Sequence, residues 1–502
     1  MRHWRLGLLL FCAPLLALAQ PPAITQEGVR NLASQMPPSL PGGALAPGAL
    51  FSVRGLRLGN KVLLRQGTAE FEAPVIASGA EYLEARVPAE ATPGEAALIV
   101  VRDGLASRPF ALRIAAGAFG IFAENGKGWG PAAGVAGPVD PVTITGTGLG
   151  TATTAEVWLG GRQARILRMG PRTGRPGIDE IRFEPAPDTP RGCYVPVLVK
   201  VGLSVSNTVT IPVAAKGQPC PDSSMLGEGP SALLLLTRMM MRVRLVGGAP
   251  ADFTQDLGAA IFSSEISPLL TGWKQLPPAR TCTGYNANWI ADSTSRGVTD
   301  FLFQSSGSGK DAGPQIVVDG PKGQGKIYPR RDGKGFYSGE LGGGLPFTRY
   351  PLPRFLEEGV YRISATGGPD IGEFHVDARF PKAIKWRSPE QLDFVDRAHG
   401  ATIRWSGATA KDRVVIMAIN VDQLSGGMGL CLCSAPGDAG RLDIPPVALA
   451  NIPPSTAIPG IPMNHIFLAV LPAGPPQRFA ARGAETGAVV LTTLQGRTVT
   501  FR

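Results

Sequence analysis

The side chains able to do chemistry in this chain are few and thinly spaced. Its four histidines are His3, His375, His399 and His465, and none stands in an H-x-H or H-E-x-x-H spacing that would gather metal ligands. No Gly-x-Ser-x-Gly elbow is present to raise a serine nucleophile at a strand-to-helix turn. Residues 320–326 (GPKGQGK) copy the first seven positions of a phosphate-cradling loop, but Ile327 stands where a Ser or Thr would hold magnesium. Pro329 and Gly333 then forbid the helix such a loop must open, so the segment reads as a hairpin turn. Glu340, Glu357, Asp370, Glu373 and Asp377 are the acids from which a glycoside-cleaving pair would have to come. Glu373 and Asp377 share one strand face roughly 13 Å apart, which is beyond the reach of an acid and base pair. What remains is a concentration of rings, Trp273, Tyr285, Trp289, Phe336, Tyr337, Phe347 and Tyr350, close to Arg349 and Arg354. Exposed rings beside polar groups stack on sugar faces, so Trp273, Tyr285, Trp289, Phe336, Tyr337 and Tyr350 are the candidate binding residues; the competing reading places them in a core.

Strands joined by turns must position these groups. The 502 residues include 65 Gly and 47 Pro and only 18% charged residues, a composition for many short strands rather than long helices. Hydrophobic residues make up 44%, enough for several separate cores, so disordered and fibrous classes are excluded. Strands are legible at 236–246, 315–318, 359–364, 372–377, 401–405 and 413–417, with turns such as 331–335 (RDGKG) and 366–370 (TGGPD) between them. The apolar run 232–236 is followed by Arg238, Arg242 and Arg244 and is too short to span a membrane.

An internal repeat organises the first half. Residues 45–59 (LAPGALFSVRGLRLG) and 140–150 (DPVTITGTGLG) align Gly55, Leu58 and Gly59 with Gly146, Leu149 and Gly150 at a constant offset. Further on, 82–88 (YLEARVP) and 92–101 (TPGEAALIVV) answer to 180–185 (EIRFEP) and 189–199 (TPRGCYVPVLV). Both copies close on a small polar turn and a last strand, 107–114 and 206–213. In each copy the first glycine ends a strand at a sharp turn, and Gly59 and Gly150 are expected to take positive φ. Units of this length and rhythm match an immunoglobulin-like sandwich.

The Gly-x-x-Leu-Gly turn, the 179–183 strand (DEIRF), the 192–196 run (GCYVP) and the 206–209 ending (SNTV) resemble the IPT/TIG immunoglobulin-like domains of cell-surface receptors and secreted bacterial proteins, including acidobacterial exported proteins of unknown function. The resemblance covers residues 40–215, and the first copy departs from it in having Arg54 and Arg57 around its turn and no cysteine opposite Cys193. It implies an interaction or scaffold role without catalytic residues for this half. Residues 365–374 and 403–407 are similar to recurrent turns in the C-terminal part of the same proteins, a resemblance that implies no activity.

The N-terminus has a basic start (Arg2, Arg5), an apolar stretch over 6–18 and Ala17-Leu18-Ala19 before Gln20. That is the pattern of a cleavable export signal, since about thirteen apolar residues fall short of the roughly twenty of a spanning helix. Cleavage after Ala19 removes two arginines and no acid, lowering the formal charge from +10 to +8. A basic exported chain suits an acidic polysaccharide, an anionic envelope surface or plain solubility, and its scattered basic residues do not form a nucleic-acid patch. Outside the cytoplasm the remaining cysteines read as disulfides. Cys193 and Cys220 make the preferred pair, closing a loop of about 27 residues worth about 3 kcal/mol. One of Cys431 and Cys433 pairs with Cys282, the other staying free; zinc is the weaker alternative because the ligand spacing is poor.

The expected molecule is all-β: a signal peptide over 1–19, sandwiches over 23–116 and 117–215, a linker over 216–225, and further β-sandwiches over 226–380 and 381–502 divided at Pro381. It is expected to be a non-catalytic binding or scaffolding protein of the cell envelope or extracellular space, without cofactor or metal, with polysaccharide or another surface protein as partner. The competing expectation is a carbohydrate-active hydrolase with its site in 226–380.

Overall fold

A computed structural model describes residues 20–135, 137, 140–221, 232–244, 248–263, 276–288, 309–330, 334–345, 348–456, 464–471 and 477–502, the last four of 464–471 by backbone alone. The expected signal segment lies outside the described residues. The architecture is all-β; helix among the described residues amounts to one turn, Pro446–Leu449, and two 3-10 turns. Among the described residues no helix is long and apolar enough to cross a membrane.

The first repeat copy contains β1 (Ala23–Asn31), β2 (Leu50–Leu56), β3 (Lys61–Gln66), β4 (Ala69–Ala73), β5 (Val75–Ser78), β6 (Tyr82–Arg86), β7 (Gly94–Arg102), β8 (Leu105–Ala106) and β9 (Phe110–Ile114). Two sheets, β1-β2-β6-β5 and β4-β3-β7-β8 with β9 on β7, close over Phe51, Val53, Leu83 and Ala85 from one side and Val62, Leu64, Leu98 and Val100 from the other. The alternating patterns of β3 and β6 put these residues inward and their neighbours in water.

The second copy contains β10 (Gly120–Ile121), β11 (Val142–Thr147), β12 (Glu156–Leu159), β13 (Arg162–Pro171), β14 (Asp179–Glu184), β15 (Gly192–Val201), β16 (Ser204–Val205) and β17 (Val209–Val213). Its pairings repeat those of the first: β11·β14 for β2·β6, β12·β15 for β3·β7, and β15·β17 for β7·β9. Both are immunoglobulin-like sandwiches. One difference traces to one residue. Pro74 offers no N–H, and there the first copy splits into β4 and β5, whereas β13 runs on, pairing β12 at its start and β14 beyond. The closing turns match atom for atom: the Ser107 hydroxyl accepts from Val100 N and donates to Arg108 O, as that of Ser206 accepts from Val199 N and donates to Asn207 O.

The repeat glycines are required by close approach. A Cβ on Gly55 would lie 2.2 Å from the Ala23 carbonyl, and one on Gly146 would lie 2.1 Å from the Gly120 carbonyl. Gly150 has φ 61°, as expected, but Gly59 is not among the positive-φ residues; a Cβ there would meet the Val101 carbonyl at 2.1 Å. The left-handed residue of the first copy is Arg57 (φ 54°), at the position of Gly148 (φ 103°) in the second.

Beyond residue 231 lie β18 (Ala232–Arg244), β19 (Pro250–Phe262), β20 (Thr281–Asn288), β21 (Ile316–Gly320), β22 (Gly323–Pro329), β23 (Phe336–Gly343), β24 (Gly359–Ala365), β25 (Phe374–Phe380), β26 (Lys385–Arg387), β27 (Phe394–Val395), β28 (Ala401–Ser406), β29 (Arg413–Val421), β30 (Gly427–Pro436), β31 (Arg441–Ile444), β32 (His465–Leu471), β33 (Gln477–Ala481), β34 (Ala484–Thr498) and β35 (Thr500–Phe501). The expected division at Pro381 does not separate two sheets. A single 13-stranded sheet, β20-β30-β29-β32-β34-β18-β19-β23-β22-β21-β24-β25 with β33 on β34, draws strands from both sides of it. Its seam is the parallel ladder of β18 on β34, from Ala232↔Gly487 to Arg242↔Arg497. The apolar run at 232–236 is therefore a strand buried on both faces: Leu234 and Leu236 enter one cluster with Phe262 and Tyr337, while Leu233 enters another with Ile261 and Val490. A third cluster forms where β26-β28-β31 covers Ile416, Cys431 and Cys433.

Candidate functional site

The candidate rings scatter. Trp273 and Trp289, like Phe347, lie outside the described residues. Tyr285 on β20 meets Trp129 of the second sandwich edge-on, with centroids 6.3 Å apart, and burial pushes its phenol well above the usual range. Phe336 is half-buried at the start of β23 under the Arg330 guanidinium, 5.4 Å from the ring centroid. Tyr337, the next residue, faces the opposite core. It is 1% exposed and cannot serve as a stacking platform. Its ring stands edge-on to Phe262 at 5.6 Å, and its hydroxyl accepts Ala312 N–H at 2.8 Å and donates to the Gly313 carbonyl at 2.9 Å. Burial raises this phenol to about 12. Tyr350 is the member of the set open to water, 78% exposed with Arg349 beside its ring.

Tyr337 instead supports a cleft. Three segments converge over it: 311–314 ahead of β21, residues 329, 330, 334 and 335 from the end of β22 and the start of β23, and 367–370 between β24 and β25. They line an open cleft of about 490 Å³ with Asp311, Pro314, Pro329, Arg330, Lys334 and Pro369 among its walls. The loops are stitched to each other. Asp311 N–H donates to Asp370 Oδ2 at 2.9 Å, and the Asp311 carbonyl accepts the N–H groups of Asp370 and Ile371 at 3.2 and 3.0 Å. Asp311 Oδ1 takes Gly313 N–H at 2.7 Å. Glycine is needed where the loops touch, since a Cβ on Gly313 (φ 103°) would fall 2.3 Å from the Gly367 carbonyl. Arg482 holds the far side through the Gly368 and Pro369 carbonyls. Lys334 reaches Asp370 at 2.9 Å while keeping two thirds of its side chain in water.

Two of the candidate acids are held ionised. The Asp311 N–H, with Lys334 beside it, keeps the Asp370 carboxyl below the usual range, and Arg362, in a bidentate pair, does the same for Asp377. Glu357 pairs with Lys322 at 2.9 Å, Glu340 accepts from the Gln255 amide at 2.9 Å, and Glu373 is exposed just ahead of β25. A general acid for glycosidic cleavage needs a carboxyl raised toward neutrality; Asp370 and Asp377 are shifted the other way. Among the histidines, His375 faces solvent, His399 bonds Asp396 at 2.7 Å, and burial lowers His465 to about 4. Residues 320–326 form the β21–β22 hairpin, with Gly320 opposite Gly323.

Two disulfides are present, Cys193–Cys220 and Cys282–Cys433, and they fit an oxidising compartment. Cys282 and Cys433 are directly opposed on β20 and β30. Cys431 is the free thiol, with its sulfur 3.6 Å from that of Cys433 and its pKa raised by burial to about 12. The three sulfurs lie within 4.8 Å, but with two of them joined only one thiol remains, which is no ligand set for zinc.

Asp311, Lys334, Gly367 and Gly368 were not singled out from the sequence as site residues. The turns that carry Lys334, Gly367 and Gly368 were legible, the one that carries Asp311 was not, and their convergence depends on long-range pairing of β21 with β24 and β19 with β23.

No protein-family model matches the chain, and no curated relative does. Among solved structures, the chain is similar to SGBP-B of the mixed-linkage glucan utilization locus of Bacteroides ovatus, solved with a mixed-linkage heptasaccharide. The identity is 12% over 64% of this chain and 76% of that one, with a TM-score of 0.23. It also aligns with SGBP-B of a complex xyloglucan utilization locus in Bacteroides uniformis, at 11% identity over 71% and 97% with a TM-score of 0.19. A third likeness is to the plexin A4 extracellular region, 14% identical over 38% of this chain but spanning only 18% of that one, with a TM-score of 0.15. Scores of this size do not establish a common overall architecture.

Proposed function

We propose that this chain is an exported, non-catalytic binding protein of the cell envelope or extracellular space. In this reading two IPT/TIG-like sandwiches carry a C-terminal β unit whose cleft takes a polar saccharide. The observation that carries the reading is the cleft over Tyr337: apolar proline walls beside a fixed carboxylate, an ammonium and a guanidinium, in a volume of about 490 Å³ suited to one or two sugar rings. Sugars offer both faces of that chemistry, C–H surface for the prolines and hydroxyls for Asp311, Arg330 and Lys334. Tyr350, with Trp273 and Trp289, is proposed as a further ring contact, and Cys193–Cys220 and Cys282–Cys433 support export.

The test is affinity electrophoresis of the mature full chain through gels containing neutral polysaccharides, with Lys334→Ala and Arg330→Ala beside it. Binding in the cleft predicts retardation of the parent chain and a loss of about tenfold in each variant, the size of one charge-assisted hydrogen bond. Equal retardation of all three proteins would move the site elsewhere, and new reducing ends in the gel would replace the binding reading with the hydrolase one.

A further inference from the structure

The outer face of the second sandwich carries an arrangement that the cleft does not explain. On β13, Arg162 is matched with Asp188 and Arg165 with Glu184, and just past its end Arg172 is matched with Glu180 at 3.2 Å. One cross-strand row breaks this pattern. Arg168 stands directly opposite Arg182, both exposed, with Thr143 of β11 continuing the row. Neither arginine has an ion-pair partner among the described residues. Like charges in register on one sheet face repel each other and are selected against unless something lies between them.

A β-bulge creates the row. The register of β13 on β14 shifts between Ile166↔Phe183 and Arg168↔Arg182, leaving Leu167 as the extra residue, 41% exposed. Without the shift Leu167 would face Arg182. The same bulge occurs in the first sandwich, between Val75↔Ala85 and Ala77↔Glu84, with Ile76 extra and 56% exposed. The bulge is therefore part of the shared scaffold. At the position after it the first copy has Ala77 opposite Glu84, whose carboxylate is engaged by the Tyr82 hydroxyl at 2.8 Å, and the second copy has two arginines. One framework thus presents a neutral and acid pair in one copy and a doubly cationic pair in the other.

We infer that Arg168 and Arg182 form an oxoanion-binding site for the carboxylate or sulfate groups of an acidic polysaccharide. Two adjacent guanidinium forks match the paired oxygens of a carboxylate or a sulfate, and Thr143 adds a hydroxyl. The flanking acids set the charge spacing of the partner. Glu180 and Glu184, each already held by an arginine, lie two residues either side of Arg182, about 7 Å along the strand, so the unmatched positive charge is confined to one spot and suits an isolated anion better than a dense polyanion. Duplex DNA, with one charge per about 1.7 Å of axis, would set phosphates against both glutamates. A polymer with a single charge per sugar would not.

The experiment measures binding of the mature full chain to polygalacturonate at low and high ionic strength, with neutral dextran and a DNA duplex as comparisons. The expected result is salt-sensitive retention on polygalacturonate, reduced about tenfold in each of Arg168→Gln and Arg182→Gln and further in the double variant. An Arg108→Gln control, which removes one exposed charge on the first sandwich, keeps full retention. A thermal midpoint in the double variant equal to or above that of the parent shows that the fold is intact. The inference is overturned if polygalacturonate is not retained, if Arg108→Gln loses as much as the site variants, or if DNA is bound with the same dependence on Arg168 and Arg182.

Discussion

Asp256 shows how a single buried charge determines where a loop can lie. It has no exposed side-chain surface, yet its carboxylate takes Arg238 in a bidentate pair at 2.8 and 3.0 Å and the N–H groups of Phe355 and Leu356 at 2.6 and 2.8 Å. Every acceptor is used, and the segment leading into β24 is tied to β19. Asp256→Ala strands the Arg238 charge and two amides, so we expect urea unfolding to show a loss of about 3–5 kcal/mol; a loss below 1 kcal/mol would mean the clamp is dispensable. His465 makes a prediction in pH. Its folded-state pKa is depressed to about 4 from 6.5, so the unfolded chain takes up a proton first as pH falls. Its contribution is therefore complete above pH 6.5 and is lost between 6.5 and 4, by about 1–3 kcal/mol. His465→Phe should flatten that part of the stability curve, and an unchanged slope would assign it to other groups. At this scale the sequence pointed to the pair Cys193–Cys220, because both cysteines flank one strand-rich segment, and the bond is present. It did not show that Tyr337 is buried, because a ring beside polar residues reads the same whether it faces water or a hydrogen-bonded core.

Strands and turns were the most legible level. The repeat predicted two sandwiches with one pairing scheme, and the structure repeats even the serine bonds of Ser107 and Ser206. Gly59 misled, because a glycine kept for close approach to the Val101 carbonyl looks in sequence like one kept for positive φ; the strained position fell to Arg57 instead. The disulfides give a test at this level. Cys193–Cys220 spans 27 residues and Cys282–Cys433 spans 151, so the chain-entropy model makes the second more stabilising by about 1–2 kcal/mol. Paired Cys→Ser variants compared in urea should show that order, and the reverse order would mean that local strain outweighs loop closure. The second bridge also holds β20 at the sheet edge, so its loss should speed amide exchange in Thr281–Asn288 ahead of the rest of the sheet.

At the scale of the whole molecule, one 13-stranded sheet takes strands from both ends of residues 232–502. The β18–β34 ladder joins segments about 250 residues apart, and nothing local announces it: periodicity reports the face of a strand and not its partner. Pro381 therefore looked like a boundary although the sheet passes across it. A fragment of residues 226–380 lacks β34, which leaves one edge of β18 unpaired and takes Val415, Ile419, Leu430 and Val490 from the cluster around Leu233, so it should show no cooperative thermal transition, whereas 226–502 should show one. A cooperative transition in the shorter piece would restore two separate domains. The cleft lies in this unit, framed by turns that the long-range pairing draws together, with Asp370 held in its charged form. The most direct measurement of the central claim incubates the mature chain with a panel of polysaccharides and reads retention and reducing-end release in the same tubes. A non-catalytic saccharide-binding protein retains at least one polysaccharide, loses it in Lys334→Ala, and releases no reducing ends. Release of sugar, or no retention on any member of the panel, would contradict it.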